Sequence, residues 1–361
     1  MVESLDGIDA LESDWRSLTP PHAAPFVTFA WNRAWYRRYR DSMDRPLVFQ
    51  VLEGGETVAI LPCYQRSRVV RLAGDAVCDY QDILAKDAKS VEIGVAAATG
   101  WVRKQPKQCH FFFERLSSEG LLHGALVDRR TPVEGASIFV RRHAPCPCVD
   151  LQGGLEAYLA SLPRKIRGDL RRALNRLERE APSARVVISR DREIGTEDVA
   201  KAAAFHVEHF RNHGASPLAD ERLVGLLAEV AEDPDVGLRL SSFADGNDTL
   251  AVDFGFARGG RYFGYLTGFD PAYRKLAPGK CLLLSRIDAW VEEDGVEILD
   301  FLAGGETYKK GFTGGEGYRV DSVRLLPDSL RHRLLRHAFE FDKGARTIAK
   351  ALLSKAGLLE R

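Results

Sequence analysis

The chain has 361 residues, 45% hydrophobic and 28% charged, enough for two ordinary domains with sizeable cores. Lys+Arg and Asp+Glu each total 51, so net charge gives no grip on DNA or a membrane, and any electrostatic function must come from local clusters. The acidic start MVESLDGIDALESDW lacks the apolar stretch of a secretion signal, and no apolar run is long enough to span a bilayer, so a cytoplasmic protein is expected.

Residues 46–71 contain three predicted strands, LVFQVL, TVAILPCYQR and RVVRL, the first two joined by the turn Glu53-Gly54-Gly55-Glu56. A helix is predicted over 90–104, a buried strand at HFFFERL (110–116) and a further helix over 119–126. Strand pieces follow at 137–140 and 148–151. The cysteines at 63, 78, 109, 146, 148 and 281 show no paired C-x-x-C spacing, and reduced thiols without metal are expected.

Around Gly153-Gly154 the pattern changes. Residues 155–180 read as helix interrupted at Pro163. Ile166, Leu170, Leu174 and Leu177 form its apolar stripe, while Arg164, Lys165, Arg167, Arg171, Arg172, Arg176 and Arg179 lie elsewhere on the helix. A strand at 185–189 and helices over 196–213 and 217–231 come next. In FHVEHFRNHG, His209 and His213 share a helix face, but the spacing is not H-E-x-x-H and no third ligand stands out. The expected role of His206 and His209 is contact with an acceptor.

GETVAILPCYQR (55–66) and NDTLAVDFGFAR (247–258) align without a gap, matching Thr57 with Thr249, Ala59 with Ala251 and Arg66 with Arg258. Each is preceded by an apolar strand and an acidic-Gly turn, which predicts two duplicated α/β halves. Only the second half then continues into chemistry. The strand RYFGYLTGFD (261–270) leads into PAYRKLAPGKCLLLSRIDAW, a loop rich in Lys, Arg and Gly that opens a helix. Such a turn aims backbone N–H groups at a phosphate. Gly279 permits close approach, Pro278 stiffens the entry, and Arg274, Lys275 and Lys280 add charge beside Cys281.

The apolar strand VEILDFL (296–302) ends at Gly304-Gly305 and delivers Glu306, Tyr308 and Lys309 to an irregular stretch. Asp253 interrupts the apolar run LAVDFGF, where an ionised carboxylate is costly without a purpose or a partner. It is the candidate base. Tyr308 is the candidate acid for a leaving thiolate, and Lys309 a holder of substrate phosphate or carboxylate. The amides of Leu266, Thr267 and Gly268 are candidate donors to an acyl carbonyl, at a point where the strand is expected to splay.

These segments resemble GNAT acyltransferases of the CelD/BcsL type, relatives of the FemAB peptidyltransferases. The matching positions are Asp270, Tyr273, Pro278, Gly279, Leu282 and Leu283, then Asp300, Phe301, Gly304, Tyr308 and Lys309. LPCYQR (61–66), CDYQDIL (78–84) and LPRKIRGDLRRALNRLE (162–178) resemble further elements of the family. The resemblance implies an α/β protein with mixed sheets and tandem GNAT-like domains over 1–151 and 152–328, followed by a basic helical tail at 329–361. It implies acetyl-CoA or another acyl-CoA as donor, no metal, and a saccharide or lipid-linked sugar acceptor of exopolysaccharide or envelope synthesis. Asp79, Tyr80, Asp82 and Glu306 join the two histidines as implied substrate contacts. The tail and the arginines imply an anionic membrane surface and a cyclic dinucleotide as further partners. Ala277 stands where the usual pyrophosphate signature has its first glycine, which keeps open an aminoacyl-tRNA donor or a non-catalytic effector.

Overall fold

The computed structural model describes residues 1–105, 109–128, 133, 135–211, 214–246, 248–306, 308–313 and 317–327. The expected tail helix at 329–361 lies outside the described residues, as does His213. The strands are β1 (Arg45–Glu53), β2 (Glu56–Arg66), β3 (Val69–Leu72), β4 (Leu84–Ala85), β5 (His110–Ser117), β6 (Ala136–Asp150), β7 (Arg185–Arg190), β8 (Leu238–Asp245), β9 (Asp248–Arg258), β10 (Arg261–Phe269), β11 (Ile298–Asp300) and β12 (Gly317–Pro327). They form one mixed sheet in the order β1-β2-β3-β5-β12-β6-β11-β10-β9-β8-β7, with β4 added on β2.

The internal repeat falls on equivalent strands. β2 and β9 are the middle strands of two antiparallel meanders, β1-β2-β3 and β8-β9-β10. The turns leaving them also match: Ser67 (φ 53) after β2 and Gly259 (φ 54) after β9 are both left-handed.

The halves are joined by strand exchange. The strand pieces expected at 137–140 and 148–151 are one long strand, β6. Its first part pairs with β12, and its last three residues pair with β11. β12, the last described strand, lies between β5 and β6 and so completes the first half's sheet.

The N-terminal helices Glu12–Leu18 and Phe29–Arg38 are a feature the sequence pattern left unread. Thr28 caps the second by accepting from the Trp31 N–H. Trp15, Trp31 and Trp35 are buried in one core with Val48 and Ile60 of the first meander and Phe254 and Phe256 of the second. Arg258 fixes this arrangement. It is 9% exposed, and its Nη1 donates to the carbonyls of Pro20, Pro21 and Ala23 at 2.7, 2.7 and 2.8 Å. Its Nε donates to Asp235 O at 2.8 Å.

Two expected elements are shorter than anticipated. The helix after the basic loop is two pieces, Pro278–Leu284 and Ile287–Glu293, broken where Arg286 turns inward. VEILDFL is a strand only over Ile298–Asp300, because the chain there leaves one neighbour and follows the other.

Candidate active site

β10 and β11 run parallel and pair only from Arg261 to Phe263, opposite Ile298 to Asp300. Beyond that point the Phe301 N–H donates to Pro147 O (3.0 Å) and the Gly304 N–H to Pro145 O (2.9 Å). The chain therefore stays bonded to β6 while β10 continues to Phe269 paired with β9 alone. The two strands part into a wedge. A bulge between Gly264 and Leu266 shifts the register of β10 at the same place. The Asp270 N–H donates to Leu250 O at 3.0 Å. Since successive strand residues present backbone groups to opposite edges, the Thr267 N–H faces the wedge.

Gly268 packs beneath His206: a Cβ there would lie 2.9 Å from the imidazole Cδ2. His206 is buried, with Nδ1 2.9 Å from Ser216 Oγ. Burial lowers its pKa to about 4, against the opposing pull of Asp253 and the Thr267 backbone. It is thus a neutral ring under the floor of the wedge. His209 lies 3.7 Å from Asp270, nearer the loop.

The basic loop closes the wide end. Pro271–Leu276 is a 3-10 turn that Asp270 caps through the Ala272 N–H (2.8 Å). Ala277 is left-handed (φ 51, ψ 50), so the substituted residue keeps the conformation a glycine would favour there. The Lys280 and Cys281 amides then close on Ala277 O at 3.0 and 3.1 Å. Gly279 faces the end of β10; a Cβ on it would come no nearer than 3.8 Å to Thr267 and Phe269. Arg274 and Lys275 are exposed, Pro278 is buried and Lys280 is half-buried. Burial raises the Cys281 thiol to about 11. Arg176, from the helix Arg164–Glu180, donates to Lys275 O at 2.8 Å and sets the arginine-rich helix against this loop.

Asp253 is 2% exposed. Its Oδ2 accepts from Arg286 Nη1 (2.7 Å) and Tyr262 Oη (2.8 Å), and its Oδ1 accepts from Thr267 Oγ1. Arg286 is itself buried, over the Trp290 ring. The partner that the sequence lacked for this carboxylate is Arg286.

On the other wall, Lys309 is 4% exposed; its Nζ lies 3.0 Å from Glu306 and donates to Leu302 O and Ala303 O at 3.3 and 3.4 Å. Tyr308 is 54% exposed. Desolvation, then the charges of Glu306, Asp253 and Asp79, raise its phenol above the ordinary value.

Asp79 reaches this wall from the first half. Its Oδ1 accepts from Arg115 Nη1 at 2.6 Å. Burial raises its pKa, with Arg115 and Lys309 opposing and Asp300 and Glu306 adding. Tyr80 donates to Asp300 Oδ1 at 2.7 Å. Asp82 stands apart, accepting from the amides of Leu121 and Leu122 at 2.7 Å each.

Asp300, Tyr318 and Arg261 complete a network not among the expected site residues. Asp300 is fully buried, and burial raises its pKa against the hydrogen bonds of Tyr318, Tyr80 and the Leu302 amide. The signal was present, since Asp300 interrupts VEILDFL as Asp253 interrupts LAVDFGF. Among the described residues no His/Cys/Asp/Glu group is arranged to hold a metal.

Residues 164–310 match the family described as acetyltransferase (GNAT) domain. The match covers less than half of the chain, all of it in the second half. No curated protein matches its sequence. Its fold is similar to that of FemX (TM-score 0.63, 9% identity, 94% of this chain and 99% of that one). It is also similar to L-PGS from Bacillus licheniformis (TM-score 0.58, 12% identity, 91% and 94%). A conserved protein of unknown function from Bacteroides thetaiotaomicron follows (TM-score 0.56, 11% identity, 90% and 98%). The GNAT match spans β7 to β11 and includes the wedge and its loop. The protein is a transferase of the GNAT type, with a mixed α/β fold. Among the described residues no helix is long and apolar enough to cross a membrane.

Proposed function

We propose that the protein transfers an acyl group from acyl-CoA to an amine or hydroxyl on a saccharide or lipid-linked envelope precursor. The parting of β10 from β11 after Phe263 carries this reading. A pantetheine arm can lie along the edge β10 exposes, its carbonyl taking the Thr267 N–H, while the diphosphate meets the Arg274–Cys281 turn. The acceptor enters beside Tyr308, Glu306 and Asp79.

The acceptor's nitrogen or oxygen attacks the thioester carbonyl, forming the new C–N or C–O bond, and the C–S bond breaks as the intermediate collapses. Asp79 is the base in this scheme in preference to Asp253, because one of its oxygens has no hydrogen-bond partner among the described residues while both of Asp253's are engaged. Tyr308, kept protonated by its surroundings, gives its proton to the thiolate.

The test is single-turnover reaction with labelled acetyl-CoA and a panel of amino sugars, beside calorimetry with CoA. Gly279→Trp should abolish CoA binding with the fold intact. CoA binding unaffected by Gly279→Trp, or absent in the unmodified protein, would remove this reading. One observation favours a second reading: Arg176 holds the arginine-rich helix against the donor loop, a surface suited to a polyanionic aminoacyl-tRNA donor. Affinity for charged tRNA with indifference to CoA would select it.

A further inference from the structure

The turn that takes the chain off β10 has an unusual residue at its centre. Leu302 is left-handed (φ 57), a conformation that glycine accepts freely and that a leucine adopts only when its surroundings impose it. Two contacts impose it here. The Leu302 side chain is buried in the core that contains Val320 and Tyr80, and its N–H donates to Asp300 Oδ1 at 2.8 Å. The same oxygen accepts from Tyr80 Oη at 2.7 Å. Oδ2 accepts from Tyr318 Oη and from Arg261 Nη1, the latter at 3.3 Å. Each oxygen has two donors, so the carboxylate is fixed and the Leu302 amide must come to it.

The effect reaches the wall of the wedge. In this turn the carbonyls of Leu302 and Ala303 meet one ammonium: Lys309 Nζ donates to them at 3.3 and 3.4 Å and lies 3.0 Å from Glu306. Three acceptors match the three protons of the ammonium. Lys309 is buried and Glu306 exposed, so the two carbonyls are the buried part of this cradle. A buried charge persists only with such partners. The Lys309 N–H donates to Glu306 O at 3.0 Å, and the Gly311 N–H to Tyr308 O at 2.9 Å. Where Lys309 is held, Tyr308 is held beside it.

We propose that Asp300 is the positioning residue of the acceptor wall. Its Oδ1 keeps Leu302 left-handed, the turned carbonyls hold the Lys309 ammonium, and Lys309 sets Tyr308 where the acceptor enters. As a statement about catalysis this rests on the acyl-transfer reading, in which Tyr308 gives its proton to the thiolate. Asp300 is buried and acts through the backbone. Its oxygen performs the task and its charge does not, because a neutral amide oxygen also accepts from the Leu302 N–H.

Acetylation of lysines by a water-soluble acetyl ester, read by mass spectrometry on the full chain, reports the hold on Lys309 with no donor or acceptor present. In the wild type Lys309 should react at least about tenfold more slowly than the exposed Lys275. Asp300→Ala should speed Lys309 labelling about tenfold or more and slow single-turnover transfer from acetyl-CoA about 100-fold, with CoA affinity unchanged. Asp300→Asn loses the Arg261 ion pair and should lower Tm, yet keep labelling and transfer within about threefold of the wild type. Lower stability in both variants, with protection lost only in the alanine variant, separates positioning from folding. Should Asp300→Ala not fold, Asp300→Asn decides alone. The proposal is overturned by wild-type labelling of Lys309 as fast as that of Lys275, by unchanged protection in Asp300→Ala, or by loss of protection in Asp300→Asn. If all three proteins label as expected but the wild type transfers nothing from acetyl-CoA, the hold on Lys309 stands and the acyl-transfer reading fails.

Discussion

Substituting Arg286 and Asp253, singly and together, separates a structural carboxylate from a catalytic one. Arg286 is 1% exposed and 2.7 Å from Asp253. Arg286→Met keeps much of the apolar packing on Trp290 but leaves a buried anion without its cation. Breaking a buried pair from one side costs about 3–5 kcal/mol. At roughly 2 °C per kcal/mol, suited to a chain of this size, Tm should fall by about 6–10 °C. Asp253→Asn strands the cation instead, but Arg286 still donates to Leu282 O at 2.9 Å, and the new amide, with its oxygen in place of Oδ2, can still accept from Tyr262 while its nitrogen donates to Thr267 Oγ1. A smaller loss, about 1–3 kcal/mol, is expected. The double variant contains neither charge, so the two losses should fall short of additivity by about 2 kcal/mol. Chemical denaturation measures these values, and single-turnover rates per folded molecule measure the chemistry. Loss of a general base lowers the rate by about 10²–10⁴; an anchor that holds Thr267 in place should cost about tenfold or less. Wild-type stability in Asp253→Asn together with a rate loss of 100-fold or more would refute the reasoning and restore Asp253 as the base.

Three further outcomes are expected. Arg258→Ala removes the hydrogen bonds that tie Pro20, Pro21 and Ala23 to the second half; stability should fall by about 3 kcal/mol or more, with new protease cleavage near 20–24. Cleavage and stability like the wild type would mean that the clamp is dispensable. Ala277→Gly relieves a left-handed alanine (φ 51). The gain, about 1 kcal/mol, should appear as a higher Tm with CoA binding retained; a marked loss of stability would show that the turn is not left-handed in solution. His206 has its pKa lowered to about 4 in the fold, against an ordinary value near 6.5. The unfolded chain takes up the proton first, so this contribution is present above pH about 6.5 and is lost as pH falls toward about 4, by up to about 3 kcal/mol. His206→Gln should therefore lose less Tm than the wild type between pH 7 and 4.5, measured at fixed salt; equal losses would mean that the ring is solvated.

The strands of both meanders, the duplicated pattern and the basic loop were legible because each depends on local periodicity or turn chemistry. TVAILPCYQR and LAVDFGF show their strand character without help from elsewhere in the chain. What was not legible depends on residues far apart in sequence. The cation that neutralises Asp253 comes from Arg286, at a break between short helices that sequence periodicity had joined into one. β12 could not be assigned to the first half's sheet from its own composition, since its neighbours are β5 and β6. The N-terminal helices were missed for a similar reason. Trp15, Trp31 and Trp35 do not make a strong local stripe, and they become a core only when Phe254 and Phe256 arrive from the other half.

The same physics explains why two similar halves make one site. In the first half β3 and β5 also part after two pairs, Val69 with His110 and Val70 with Phe111. There the gap is filled by the chain itself. The Gln81 N–H donates to Arg115 O at 3.1 Å, and the Gln81 side chain donates to Leu72 O and Ala73 O at 3.4 and 3.2 Å. Those backbone groups are satisfied internally and have little left to offer a thioester. The filling segment places Asp79 and Tyr80 against the second half, where Tyr80 bonds Asp300 and the charge of Asp79 meets that of Lys309. Closing one wedge thus supplies side chains to the other. It follows that substitutions at Gln81 should disturb chemistry in a GNAT domain whose matched residues do not include it.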